Sequence, residues 1–440
     1  MQEEILKKSE TEQENKKNVV VIIIDALRTK NLSMFGYEKE TDKYLKQIAK
    51  ESIVFHECFS ASNATAPSLS ALFTGRYPNH NGVIHQFPYT SEEEIKKIQQ
   101  ARFWFPSFLK NRGYETIGVD WIGLWLKRGF NQYQEKEEKS SWLREFMKKP
   151  GIKKFLLSLP NWVYKIGKKV VKTRASAAHA SAKVTTDLAI SKVLELDKDK
   201  PFFLFVHFWD THFPFKNTKY QAREEEEDVE EVLVKIKSKN QREYFKKRIT
   251  DIGLNSIKDM KNKYDETIME IDKNIGRFVK FMKEQGLWED CVFMVMGDHG
   301  DSLDEHGIYF SHSGLFDESI HVPLIMKIPG IKAEENKELV QNVDIIPTLV
   351  EYLKLKNEHG EKFDGKSFLD LLKTGKPIRD KIFAFDGLAV DIKTARTKKR
   401  KIIVAKNAEC NLCKAKHHEE IEEYDLEKDP AELNNLRKKV

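Results

Sequence analysis

Three short, uninterrupted apolar runs constrain the fold most: Val19–Ile24, Phe202–Val206 and Cys291–Met296. The first consists entirely of β-branched residues, Val-Val-Val-Ile-Ile-Ile. A strand with one wet face alternates apolar with polar side chains. A strand that is apolar at every position needs cover on both faces, as in the middle of a parallel sheet. Between these runs, Asp42–Glu51 and Asp265–Gln285 place apolar residues at i, i+3/i+4 spacing, which predicts amphipathic helices. Strands alternating with helices imply an α/β fold, with a large central, mostly parallel sheet flanked by helices.

The intervals 131–200 and 216–263 lack strand signals and read as helical insertions, the first basic and the second charged. Beyond about Asp380, Lys381–Phe385 and Ile402–Ala405 suggest short strands of a small subdomain. The expected layout is a flexible start over 1–17, a catalytic domain over 18–379 and a C-terminal subdomain over 380–440. No apolar run approaches the ~20 residues of a membrane span, and the polar start, MQEEILKKSETEQENKK, has no secretory core. A cytoplasmic protein is expected, with peripheral membrane attachment left open.

Two of the apolar runs lead straight into metal-type ligands. Val19–Ile24 is followed by Asp25, and Cys291–Met296 by Gly297-Asp298-His299-Gly300. Ligands of open parallel sheets bind beyond the carboxyl ends of the strands, so two carboxylates and an imidazole delivered there can converge on one cation. The flanking glycines would let backbone approach a ligand. In Asn63-Ala-Thr65-Ala-Pro67-Ser68-Leu69, Ser68–Phe73 reads as the opening of a helix that Gly75 stops. Thr65 then stands at or just before a helix N-terminus, where exposed N–H groups favour anions. By itself it would read as an N-cap. Beside a bound metal, its hydroxyl is a candidate nucleophile. His212, in His207-Phe-Trp-Asp-Thr-His212, and His312, in His306-Gly-Ile-Tyr-Phe-Ser-His312, are candidates for substrate contact or proton transfer.

Taken together, the segments VVVIIIDALR, TAPSLSALFTGRYPNHNGV, PFFLFVHFWDTHFP, YDETIMEIDKNIG, MGDHGDSLDEHG, FDESIHVPLIMKIPG and EEYDLEKDPAELNNL resemble, in order, the sulfatases of the alkaline phosphatase superfamily. They span nearly the whole chain. The resemblance implies a central sheet with helices on both faces and a small C-terminal antiparallel sheet. It also implies a metal site of Asp25, Thr65, Asp298 and His299, with Thr65 in the nucleophile's place and His212 and His312 at substrate-contacting positions. One divalent ion (Mn²⁺, Mg²⁺, Zn²⁺ or Ca²⁺) is expected. A second ion is left open, because Asp210-Thr-His212 and His312 offer the wrong spacing for a two-metal relative.

The departures are informative. Sulfatases carry Cys or Ser in Cys/Ser-x-Pro-x-Arg and convert it to formylglycine. This chain has Thr65-Ala-Pro67-Ser-Leu69. Threonine would give a ketone, and the arginine is Leu69. The second Asp of the family's usual pair is Ala26, and its Gly-Lys-Trp-His stretch is Gly118-Val-Asp-Trp121. A threonine nucleophile is typical of family members acting on phosphorus. The expectation is therefore a hydrolase or transferase of phosphate mono- or diesters passing through phospho-threonine. The alternatives are a sulfuric ester hydrolase and an inactive member that binds a membrane or a partner.

Two features remain. Ser141–Arg174 holds ten Lys/Arg against one acid, Glu145, a local charge of +9 in a chain of net +6. Interleaved with aromatics and leucines, it suits either an anionic membrane surface or a solvated helical lid. The expected substrate is a small-molecule or lipid-linked phospho- or sulfo-ester, and no nucleic acid is expected. Cys410-Asn-Leu-Cys413 with His417-His418 reads as a polar hairpin tip or a small zinc site.

Overall fold

The computed structural model describes residues 17–134, 180–197, 199–215, 229–236, 238–252, 256–357, 360, 362–406 and 409–437. The basic segment 141–174 lies outside them, as do 216–228 of the second insertion. Among the described residues, no helix is long and apolar enough to cross a membrane.

The strands are β1 (Asn18–Ile24), β2 (Ile53–Phe55), β3 (Cys58–Phe59), β4 (Glu115–Val119), β5 (Gln132–Gln134), β6 (Phe202–Phe208), β7 (Cys291–Gly297), β8 (Leu324–Lys327), β9 (Glu334–Asn336), β10 (Val340–Gln341), β11 (Ile382–Phe385), β12 (Ile392–Arg396), β13 (Arg400–Ala405) and β14 (Ile421–Asp425). The main sheet runs β5-β4-β6-β1-β7-β8-β2-β9. Strands β5 to β7 in that order are parallel; β8 is antiparallel to both of its neighbours. Strands β11 to β14 form the antiparallel C-terminal sheet.

The run in β1 is apolar throughout for the reason anticipated. Val20, Ile22 and Ile24 enter the core on one face of the sheet, and Val19, Val21 and Ile23 that on the other. β6 divides likewise, with Leu204 and Val206 on one side and Phe203 and Phe205 on the other. Successive strand residues point to opposite faces, so a strand covered twice is apolar except where a polar side chain finds a buried partner, as His207 of β6 does in Asp120.

The helices that matter for the site are α1 (Thr65–Thr74), α2 (Ala182–Leu194), α3 (Lys239–Ile252), α4 (Ile257–Glu284) and α5 (Asn342–Tyr352). Ser256 caps α4 by accepting from the Asp259 N–H, and Met260, Tyr264, Ile268, Ile271, Ile275 and Phe278 form the buried stripe that seats α4 on the sheet. Among the described residues, the first insertion holds a strand that was not expected. β5 lies inside 131–200 and extends the sheet edge through β4. Its Gln-Tyr-Gln composition carries no apolar signal, because an edge strand needs little cover.

Candidate active site

Asp25, Asp298 and His299 meet because β1 and β7 are parallel neighbours with Ile24 paired to Gly297. Their next residues therefore emerge side by side at the same edge of the sheet. All three are fully buried. His299 Nε2 lies 3.4 Å from Asp25 Oδ1 and 3.6 Å from Asp298 Oδ2. His299 Nδ1 donates to the Gly300 carbonyl at 2.8 Å, which places the ring proton on Nδ1 and leaves the Nε2 lone pair facing the same space as the two carboxylates.

The turn after β1 is strained. Ala26 adopts φ 54°, uncommon for a residue with a side chain. The Tyr264 hydroxyl, donating to the Ala26 carbonyl at 2.7 Å, and the Ala26 N–H, donating to Asp298 Oδ1 at 3.0 Å, hold it there. The Gly300 backbone passes so close to the Glu318 carbonyl that a Cβ would collide with it, and Gly297 is equally tight against the Leu27 carbonyl. These glycines thus permit approach of the protein's own chain, a correction to the reading that they make room for a ligand.

Thr65 is the first residue of α1, and the extended Ala64 takes the cap position without a side-chain hydrogen bond. Gly75, at φ 63°, ends the helix. Thr65 is therefore not an N-cap, and its hydroxyl is free of that duty. Thr65 Oγ1 lies 3.2 Å from His299 Nε2. Ser68 fastens the helix to the metal-type ligands by donating to the Asp298 carbonyl at 2.6 Å, and Asn342 of α5 donates to the Ser68 carbonyl at 3.0 Å.

The electrostatics call for a cation. Neither oxygen of Asp25, nor Oδ2 of Asp298, has a hydrogen-bond partner among the described residues. Burial first, then the carboxylates of Asp298, Asp301 and Asp120, push the Asp25 pKa well above the usual range. Buried carboxylates left facing one another without donors are unfavourable until a positive charge joins them. Two carboxylates, one imidazole and one hydroxyl form a mainly oxygen donor set suited to a hard or borderline divalent ion.

His312 joins this group. Its ring stacks on that of His299, with centroids 4.4 Å apart, and its Nδ1 donates to the Asn63 carbonyl at 2.6 Å. Desolvation, then the neighbouring His299, lowers its pKa well below the usual histidine range. His212 follows β6; its Nδ1 donates to the Phe213 carbonyl at 2.7 Å, and it adds to the lowering at His312. Asp210 accepts from the Ala182 N–H at the start of α2. Among the described residues, Asp210, His212 and His312 do not gather into a three-ligand cluster, so the second ion left open from sequence has no assembled site.

Three polar residues around this centre were not singled out from sequence. Asp120, one residue past β4, accepts from His207 Nδ1 at 2.8 Å and from Trp209 Nε1 at 3.2 Å. The rule that drew attention to Asp25 would have found it. Asn63 holds His312 and accepts the Gly387 N–H at 2.8 Å. Arg248 comes from α3 in the second insertion, stacks over Phe213 and donates to Tyr244 Oη at 2.7 Å. No local pattern in that helix announces it.

Comparison with known proteins identifies the family and the fold. Residues 17–355 match the family model described as Sulfatase, and residues 304–440 match that described as N-sulphoglucosamine sulphohydrolase, C-terminal. An arylsulfatase of Clostridium perfringens is 26% identical over 96% of this chain and 90% of its own length. The multifunctional alkaline phosphatase superfamily protein PehA of Trinickia caryophylli is 23% identical over 82% of this chain and 78% of its own. Among solved structures, the phosphonate monoester hydrolase of Agrobacterium radiobacter superposes with a TM-score of 0.63 at 19% identity, covering 96% of this chain and 91% of that one.

Proposed function

The chain belongs to the sulfatase family of the alkaline phosphatase superfamily and is a hydrolase of that family; we propose that its substrate is a phosphate mono- or diester and its nucleophile Thr65. The observation that carries this reading is the residue pair Thr65 and Leu69. Leu69 stands on α1 itself, fully buried in the core, where the formylglycine pattern has arginine. A threonine in that place keeps an ordinary hydroxyl, the nucleophile that phosphoryl transfer uses.

Asp25, Asp298, His299 and Thr65 Oγ1 would hold the divalent ion. Such an ion supplies charge neutralisation and Lewis acidity to the site. Thr65 gives up its hydroxyl proton, Oγ1 bonds to phosphorus, and the ester P–O bond on the opposite side breaks. His212 and His312 are the groups that protonate the departing alkoxide. With its Nδ1–H committed to the Asn63 carbonyl, His312 has a bare Nε2, which takes the proton that Thr65 gives up and passes it to the departing alkoxide. Water resolving phospho-Thr65 gives hydrolysis, and an acceptor alcohol gives transfer.

The second reading, a sulfuric ester hydrolase, is favoured by the names of the sulfatase relatives. Turnover of bis-p-nitrophenyl phosphate, p-nitrophenyl phosphate and p-nitrophenyl sulfate with added Mn²⁺ separates the two. The first reading expects phosphorus turnover, a phosphoryl group trapped on Thr65 in intact-protein mass spectra, and loss of both in Thr65→Ala. Turnover of the sulfate ester alone overturns it.

A further inference from the structure

About the C-terminal sheet, a second constellation of ligand atoms stands apart from the active site. Cys410, Cys413 and His417 bring Sγ, Sγ and a ring nitrogen within 4.8 Å of one another. Both cysteines are buried. Cys413 Sγ lies 3.0 Å from His417 Nε2, and Cys410 Sγ 3.2 Å from Ser313 Oγ. The loop is already folded around these atoms: the Cys410 N–H donates to the Ala415 carbonyl at 2.9 Å and the Lys414 N–H to the Cys410 carbonyl at 2.8 Å.

We propose that Cys410, Cys413 and His417 form a zinc site that fixes the shape of the 410–417 loop, which packs against the residues around His312. The donor set is soft, with two sulfurs and an imidazole in Cys-x-x-Cys-x-x-x-His spacing, and such a set selects zinc over the hard ions that suit Asp25 and Asp298. A tetrahedral zinc, ~2.3 Å from sulfur and ~2.0 Å from nitrogen, separates its ligand atoms by about 3.5–3.8 Å. The present atoms need only small rotations to reach that spacing. Binding releases the two thiol protons to solvent, and the resulting thiolate pair neutralises the dication. The fourth position falls to water in the small pocket that Cys413 and His417 share with Ser311, Ser313 and Tyr244.

The location gives the site a role. Ser313, against Cys410, is the residue after His312. The Asn411 N–H donates to the Leu388 carbonyl at 2.7 Å, next to Gly387, which binds Asn63, the residue that holds His312. Tyr244, the partner of Arg248, packs on the same cysteines. The loop that the zinc would hold in shape touches three segments around His312: the 311–313 loop, the 386–389 loop and α3.

The test uses full-length Asp25→Asn protein, in which the catalytic ion is weakened, and reads metal rather than turnover. Cadmium added to this protein should produce an ultraviolet thiolate-to-metal charge-transfer band. Cys58 and Cys291 are fully buried in the sheet region and cannot supply it. After zinc loading and desalting, elemental analysis should find zinc bound in the Asp25→Asn protein and lost when Cys410→Ser and Cys413→Ser are added, with circular dichroism checking the fold. His417→Asn should weaken zinc affinity at least ~10-fold in competition with a chromophoric chelator. No charge-transfer band, zinc content indifferent to the cysteines, or a Cys410–Cys413 disulfide in freshly purified protein would each overturn the proposal. None of these outcomes depends on which ester the enzyme cleaves.

Discussion

The Asp25/Asp298/His299 centre and the Cys410/Cys413/His417 cluster each gather three ligand atoms, yet they are built in opposite ways. The first draws its residues from the ends of strands 273 positions apart in sequence, Ile24 being paired with Gly297, at the carboxyl edge of the sheet, and leaves three carboxylate oxygens without partners among the described residues. The second draws them from one short loop whose sulfur and nitrogen atoms satisfy one another. A third cluster, His306, Glu318 and Glu432, has similar donor types to the first. Its charge is met by lysines: Lys30 pairs with Glu318, and Lys401 with Glu432 at 2.6 Å. Ligand types alone therefore do not make a metal centre. What distinguishes the first from the third is charge that the protein itself does not neutralise.

The comparison can be broken most severely at Thr65. Thr65→Ala should reduce turnover by about 10³-fold or more with little change in stability, since it removes the attacking atom and no packing anchor. Steady-state kinetics beside a denaturant titration would check both halves. Next, Asp298→Asn should lower activity by about 10²-fold or more even in excess Mn²⁺, whereas Cys410→Ser with Cys413→Ser should act mainly on KM, through His312 and Arg248. Equal loss of kcat in the two variants would erase the distinction drawn between them.

In EDTA the expected order of stability reverses. Asp25→Asn should then be more stable than the unsubstituted protein by about 1–2 kcal/mol, because an unpartnered buried charge is gone. Urea unfolding with and without chelator measures it.

The smallest effect belongs to the lysine-neutralised cluster. Desolvation would raise the pKa of Glu318, but its hydrogen bond to His306 and its pairing with Lys30 prevail and bring it from 4.5 down to about 2. A carboxyl depressed in the fold stabilises above its unfolded value and loses that contribution as pH falls through the folded one. Lys30→Met should thus reduce stability at pH 7 by about 1 kcal/mol or less, given the exposure of Lys30. The deficit should shrink as pH falls from 4.5 toward 2.

Several elements were legible because their cause is local. Val19–Ile24 had to be a doubly covered strand, and Asp25 and Asp298-His299 followed such strands. Pro67 and Gly75 bracketed α1, so Thr65 could be placed at its start. Strand β5 escaped notice, since an edge strand of Gln-Tyr-Gln needs no apolar pattern. Arg248 escaped for a different reason: a helix in an insertion carries no mark of what it will face.

What the sequence by itself determined is the kind of chain this is: the buried parallel strands, the carboxylates at their ends, and a threonine and leucine where the formylglycine pattern has cysteine or serine and arginine. Those follow from residue type and near-neighbour order. Only the tertiary structure decided that Thr65 is the first helical residue rather than its cap, that Gly297 and Gly300 admit the protein's own backbone, and that Asp210 is spent on α2. It also decided that Cys410 touches the residue beside His312. These are contacts between segments tens to hundreds of residues apart, and they depend on strand order and packing, which no local pattern encodes.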